Sequence, residues 1–357
     1  MRTLKYVLCA IMCFTVFACS RQGTVTVVHL AAHMKDPAKV MENDRMQVER
    51  VIDIPLSACP LRGTPVIWEM GDKVGLLSDD ATVLVLDVHG GQVIGNISHK
   101  GNGPGEYLYI DGVASSGNGR EIFVFDNQKR RVQVYAEDGS FLRSIPAPAA
   151  RCQGGIAVSG DRLYWTTSTR GAAVPVYYVT DLQGHLADSS RTRTRNQQSS
   201  FMLFSNSLFS GEGESLFLQK PFCDTLFRVS DGGADKPELV LDLGNKAMPE
   251  KYLADFNLYY ENEGNYAQVQ TMRWSRPYLF VSYVYIDRAY HEVWDTDKGI
   301  TLFRFIETES NRFSGIPLEC KGEVLFFWPR LFASDGLAYG MEERPESLRL
   351  TACRIRS

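Results

Sequence analysis

No stretch of this 357-residue chain is long and apolar enough to cross a bilayer as a helix. The apolar run Tyr6–Ala18 has 13 residues, where a span needs about 20. The eight cysteines include no CxxC pair, so neither a zinc ribbon nor a dithiol redox centre is expected. With 38 basic and 42 acidic residues the formal charge is only −4, so no polyanion-binding surface and no nucleic-acid partner is expected. There is no Gly-x-Ser-x-Gly elbow, no HExxH, and no Gly-Lys-Ser/Thr after the glycines at 101–105. No catalytic signature and no cofactor motif is therefore present. What remains is ordinary globular composition, 44% hydrophobic and 22% charged, which excludes a disordered or collagen-like chain.

The N-terminus carries an address. Arg2 and Lys5 precede the apolar run, which has the length of a signal-peptide core. The run ends Val16-Phe17-Ala18-Cys19-Ser20, a small residue followed directly by Cys, and this resembles a bacterial lipobox. The resemblance implies that residues 1–18 are removed and Cys19 is acylated. The chain is then expected to be lipid-anchored in the cell envelope, at the outer membrane, with residues 19–44 as a tether. Cleavage would leave Cys59, Cys152, Cys223, Cys320 and Cys353, an odd number without framework spacing, best read as mostly buried free thiols.

From Met46 onward, short β-rich runs alternate with Asp/Gly/Asn turns, the pattern of an all-β sandwich, barrel or propeller. In TVLVLD (82–87), Val83 and Val85 fall on one face and Leu84 and Leu86 on the other, so both faces of that strand must be covered. One hairpin recurs, with its turn at Gly90, Gly139, Gly184, Gly232, Gly299 and Gly336. Spacings of 49, 45, 48, 67 and 37 residues match four-stranded propeller blades and predict six of them. Met46–Leu56 (MQVERVIDIPL) reads as a strand that completes the last blade. The expected fold is an all-β, six-bladed propeller over 45–357, closed by an N-terminal strand. One helical insertion is expected over Met248–Gln270, where Pro249-Glu250 suits a helix start.

The segment Ile122–Leu142 (IFVFDNQKRRVQVYAEDGSFL) resembles an NHL-type propeller repeat, with Asp126, Arg131, Val132 and Gly139 on the pattern. Gly101-Asn-Gly-Pro-Gly-Glu-Tyr107 is similar to the connection found in six-bladed, NHL- and TolB-like propeller lipoproteins of Bacteroidetes. The resemblance implies fold and export and carries little about ligands. It leaves two classes of function open: a binding or scaffold module for a protein or carbohydrate, or a glycan-active hydrolase or lyase. Candidate ligand residues are Glu106, Tyr259 in the insertion, and the Arg/aromatic cluster Arg273, Trp274 and Arg276, expected as an exposed recognition patch. His29 and His33 are spaced i, i+4 but lack the Glu of a zincin, and Asp295-Thr-Asp297-Lys-Gly299 lacks the closing Glu of a calcium loop, so no metal site is expected. Replacing Cys19 by Ala should abolish incorporation of labelled fatty acid and release the protein from membranes. Continued labelling of the variant would overturn the lipobox reading.

Overall fold

Within single strands, neighbouring side chains bury in different cores. Val83 and Val85 join Met70, Ile122, Val124 and Tyr135 in one cluster, while Leu84 and Leu86 join Ile54, Ile67 and Leu350 in another. Phe123 and Phe125 likewise leave their neighbours Ile122 and Val124 to pack with Trp165 in a third. A strand apolar on both sides needs a sheet against each face. The result is an all-β propeller with few helices.

The computed structural model describes residues 25–34, 46–55, 66–78, 81–149, 152–167, 174–193, 207–210, 215–220, 223–253, 256–286, 288–307, 316–320, 323–327, 329–332, 337–343 and 346–355. It starts with β1 (Thr26–Val28), a single-turn helix α1 (Leu30–His33) and β2 (Met46–Pro55). Three four-stranded antiparallel sheets follow. The first holds β3 (Val66–Met70), β4 (Lys73–Leu77), β5 (Val83–Asp87) and β6 (Val93–Ile97). The second holds β7 (Gly112–Ser115), β8 (Glu121–Asp126), β9 (Arg131–Ala136) and β10 (Phe141–Pro146). The third holds β11 (Cys152–Ser159), β12 (Arg162–Thr167), β13 (Tyr177–Asp181) and β14 (Leu186–Ser189).

Next come β15 (Ser207–Ser210), β16 (Leu216–Gln219), β17 (Thr225–Arg228) and β18 (Lys236–Leu241), then helices α2 (Glu250–Leu253) and α3 (Phe256–Asn262) within the expected insertion. Another four-stranded sheet holds β19 (Gln268–Ser275), β20 (Tyr278–Tyr285), β21 (Arg288–Asp295) and β22 (Ile300–Glu307). The chain ends with β23 (Ile316–Cys320), β24 (Glu323–Phe327), β25 (Pro329–Phe332), β26 (Leu337–Glu343) and β27 (Ser347–Ile355).

The expectation of six like blades needs correction. Among the described residues five sheets are regular four-stranded blades. The sheet of β15–β18 has five strands, because β1 adds in parallel to its outer edge, and β23–β24 form a separate two-stranded ladder. The repeat count also rested partly on a turn in the wrong place. Turns around Gly91, Gly139, Gly184 and Gly299, all at positive φ, join third to fourth strands. Gly336 lies outside the described residues, between β25 and β26, the first and second strands of their sheet. That sheet takes its outer strand from β2, which pairs antiparallel with β27 from Met46↔Ile355 to Pro55↔Ser347. Asp53 accepts from Arg349 Nε at 2.6 Å, and Glu49 pairs with Arg354 across the same two strands.

The outer turns share a local cause. Asp87 accepts the backbone N–H groups of His89 and Gly90, Asp138 that of Ser140, Asp181 those of Gln183 and His185, and Asp295 those of Asp297 and Lys298. An aspartate that bonds its own backbone two residues on replaces a ladder bond with a turn. The His89 N–H holds the Asp87 carboxyl below the usual range, and the Ser140 hydroxyl, with the Ser140 N–H beside it, does the same to Asp138. The Asp295–Gly299 segment is therefore a hairpin turn.

The tether assignment over residues 19–44 also needs correction, since residues 25–34 dock on the domain. Val28, Leu30 and Met34 are buried between the sheet of β15–β18 and that of β19–β22. His29 Nδ1 lies 2.9 Å from Asp242, and the His33 ring packs 4.6 Å from Trp294. Beneath it, Trp294 Nε1 and Tyr283 Oη donate to the buried Glu292 at 2.9 and 2.7 Å, and Arg304 Nε lies 3.1 Å from the same carboxylate. Burial pushes the Glu292 carboxyl up, against the opposing pull of these donors and the guanidinium.

Two truncations separate the roles of these segments. Removing residues 1–44 takes away the buried Val28, Leu30 and Met34, each contributing at most about 1.5–3 kcal/mol. It should lower the melting temperature yet leave cooperative unfolding. Removing residues 1–55 also takes β2, with the buried Ile52 and Ile54, from its sheet and should abolish the cooperative transition. Equal melting temperatures in circular dichroism would contradict a structural role for β2.

Candidate functional site

A cavity of about 390 Å³ lies where the first strands of five sheets approach one another, lined from β3, β7, β11, β15 and β19. Ile156 and Val158 of β11 and Leu208 of β15 give it apolar walls. Its polar groups come from Trp68 and Glu69 on β3, from Asp111 just before β7, and from Arg273 on β19. The size and the few polar groups on an apolar wall are those of a small-ligand site.

Each polar group is set by its surroundings. Arg273 is half-buried by surface area because it faces the cavity, yet protein surrounds it closely enough for desolvation to pull its guanidinium down to about 10. It stays charged at neutral pH, and its Nη1 donates to the Met272 carbonyl at 2.8 Å. The carboxyl of Asp111 is pushed up by burial and by the neighbouring Asp126 charge, against the Asn127 N–H that donates to it at 2.9 Å. Among the described residues no cation lies within ion-pair distance of Asp111. The Trp68 indole lies flat on β4 at Gly75, and its buried Nε1 has no hydrogen-bond partner among the described residues. A buried donor left unmade is costly, so a ligand acceptor here would gain more than at a solvated group.

Trp274 lines a second cavity as well, of about 250 Å³, together with Phe217, Arg228, Glu238 and Arg276. There Arg228 is bridged to Glu238 at 2.7 Å and Arg276 to Asp297 at 2.8 Å.

The sequence-derived candidates are thus divided. Arg273 and Trp274 reach the central cavity, with Trp274 only 6% exposed against Phe217. Arg276 is exposed at the turn between β19 and β20. Together they do not make one exposed patch: Trp274 is buried, Arg273 is half-buried in the cavity wall, and Arg276 lies beyond the end of β19. Tyr259 is buried, and its hydroxyl donates to Gln268 Oε1 at 2.7 Å; burial pushes that hydroxyl up to about 12. Cys19 and Cys59 lie outside the described residues. Cys152 and Cys353 are buried free thiols, and Cys223 is free and half-buried.

Glu106 belongs to the architecture of its own loop. Its carboxylate accepts the Gly103 N–H at 2.6 Å, and a Cβ at Gly101 would fall 2.1 Å from that carboxylate. Lys129 Nζ donates to the carbonyls of Gly101 and Glu106 at 2.7 and 2.9 Å, and Tyr135 Oη to that of Gly105 at 2.7 Å. Tyr107, fully buried, donates its hydroxyl to the Ala81 carbonyl at 2.6 Å. The Gly-Pro-Gly-Glu-Tyr segment therefore fastens the first sheet to the second. Sequence reasoning missed Trp68, Glu69 and Asp111, which carry no motif.

In the wall of the cavity, Gly75 is sensitive to a small change. A Cβ there would lie 2.2 Å from the Trp68 ring, so Gly75→Ala must displace the indole from the cavity wall. Denaturant melts should show a loss of about 1–3 kcal/mol. The control Gly264→Ala, whose Cβ would meet nothing within 4 Å, should be close to neutral. A neutral Gly75→Ala would contradict this packing.

Comparison with known proteins agrees with the fold. Among curated proteins none matches this chain. A protein from Bacteroides fragilis, described as exported, superposes with a TM-score of 0.71 at 15% identity, covering 94% of this chain and all of that one. A member of the DUF4221 family from Bacteroides vulgatus superposes with a TM-score of 0.58 at 11% identity, over 88% of this chain and all of that one. At such identities the likeness is one of fold. Residues 59–346, well over half the chain, match the model of a domain of unknown function, DUF4934, and the chain belongs to that family.

Proposed function

We propose that this DUF4934 protein is an exported, lipid-anchored binding propeller whose ligand site is the central cavity. The observation that carries the reading is the convergence of Trp68, Glu69, Asp111 and Arg273 from three strands, β3, β7 and β19, and their flanks on one cavity, without a nucleophile–base pair among them. On this reading the ring has six blades, counting the five-stranded sheet, and the pairing of β2 with β27 closes it. Export is supported by the signal-like start, and by the description of the Bacteroides fragilis protein. No helix among the described residues is long and apolar enough to cross a membrane. Anchoring would then fall to Cys19. Arg273 and Trp274 are the ligand contacts retained from the sequence; Arg276 borders the neighbouring cavity, while Glu106 and Tyr259 hold their own loops.

Glu69 and Asp111 on the same cavity give one specific reason for a second reading, a glycan hydrolase with paired carboxylates. One experiment separates the two. The chain from Ser20 is screened against glycan and peptide arrays, and hits are titrated calorimetrically and assayed for turnover. A binder should lose about tenfold or more in affinity with Arg273→Ala, at an unchanged melting temperature, and show no product. Product formation abolished by Glu69→Gln or Asp111→Asn would favour the hydrolase. Equal affinity of Arg273→Ala and wild type would remove the central cavity as the site.

A further inference from the structure

The N-terminal strand fixes how far the domain can stand from its anchor. In the order β1-β18-β17-β16-β15, the innermost strand β15 lines the central cavity through Leu208, so β1 is the outermost strand of its sheet. It is firmly held. Thr26, Val27 and Val28 register with Leu239, Val240 and Leu241, the Asp242 N–H donates to the Val28 carbonyl at 2.8 Å, and the Ala31 N–H donates to the Asp242 carbonyl at 2.9 Å. Burial of Val28, Leu30 and Met34 holds the segment in place.

Cys19 precedes Val25 by six residues, which reach about 20 Å when fully extended. A free tether to Asp44 would reach about 85 Å and allow any orientation. A domain of this length is about 50 Å across, so the short leash brings one part of the perimeter, and not the opposite one, to the lipid. At that part of the perimeter Val27 of β1 and Val25 just before it lie two positions apart and are 49% and 41% exposed, while Val28 points the other way into the core. Apolar side chains held beside an acyl anchor can bury in the bilayer with it and so add to membrane affinity.

We infer that the outer face of β1, with Val25 and Val27, is a lipid-contacting surface on which the propeller stands, so that the mouths of the central cavity open along the membrane. The inference rests on acylation of Cys19 as proposed above. The occupant is a lipid surface: the leash ends in the bilayer and is shorter than the domain.

The test uses full-length acylated protein in phosphatidylcholine vesicles with and without dibrominated acyl chains, which quench indole emission at short range. Single tryptophans are added at three exposed apolar positions: Val27→Trp on β1, Tyr109→Trp in the loop between β6 and β7, and Ile94→Trp on β6. The emission added by Val27→Trp should fall by about half in brominated vesicles, and that added by the other two by less than about a tenth. Quenching of Tyr109→Trp or Ile94→Trp equal to that of Val27→Trp would overturn the inference, as would an unquenched Val27→Trp on membrane-bound protein. Mass spectrometry of the N-terminal peptide judges the anchor separately. An unmodified Cys19 removes the anchor and this surface together, whereas an acylated Cys19 with quenching at the other positions removes the surface alone.

Discussion

Two-sided burial of the sheets is the constraint from which the rest follows. Val83, Val85, Ile122, Val124, Phe123 and Phe125 are all fully buried, and successive residues serve different cores. A sheet with two apolar faces must have a neighbour on each side, and that neighbour has the same need. Stacking in a line would leave two exposed faces at the ends, while arrangement around an axis leaves none. The pairing of β2 with β27 brings Met46–Pro55 and Ser347–Ile355 together in one sheet.

Packing around an axis also makes the cavity. Strands that lie side by side at the perimeter must come together at the centre, where side chains from five sheets share about 390 Å³. Charged groups there are partly desolvated. The guanidinium of Arg273 is pulled down and the carboxyl of Asp111 pushed up, both by burial. Groups held in this state interact strongly with a ligand of complementary charge, because little water has to be displaced from them. At the perimeter the opposite holds. The Asp turns at 87, 138 and 181 are solvated, and they shape hairpins rather than sites.

The strands were largely legible. Val83–Asp87 falls within the run expected over 82–87, and Met46–Pro55 ends one residue short of the expected Met46–Leu56. The helical insertion was legible from Pro249-Glu250. The count of like blades was not, because turn chemistry marks a hairpin without saying which two strands it joins. The sequence around Gly336 resembles those around Gly139 and Gly184, yet Gly336 lies between the first and second strands of its sheet. The docking of β1 and α1 was missed as well. Three paired residues and a four-residue helix carry too little pattern to stand out from a polar linker.

The sequence by itself determined what each residue prefers locally: extended backbone where apolar residues alternate, turns at Asp and Gly, a lipobox-like Cys19, and the Gly-Pro-Gly-Glu-Tyr connection. These are short-range properties, set by dihedral preference, side-chain polarity and spacing. The tertiary structure decided which of the chemically able residues meet. Trp68, Asp111 and Arg273 are separated by up to 205 positions yet line one cavity, whereas Arg276, three positions from Arg273, lies outside it. Glu106 and Tyr259 bond to their own loops. Convergence depends on how the sheets pack around the axis, which sums weak contacts over the whole chain and is written in no local segment.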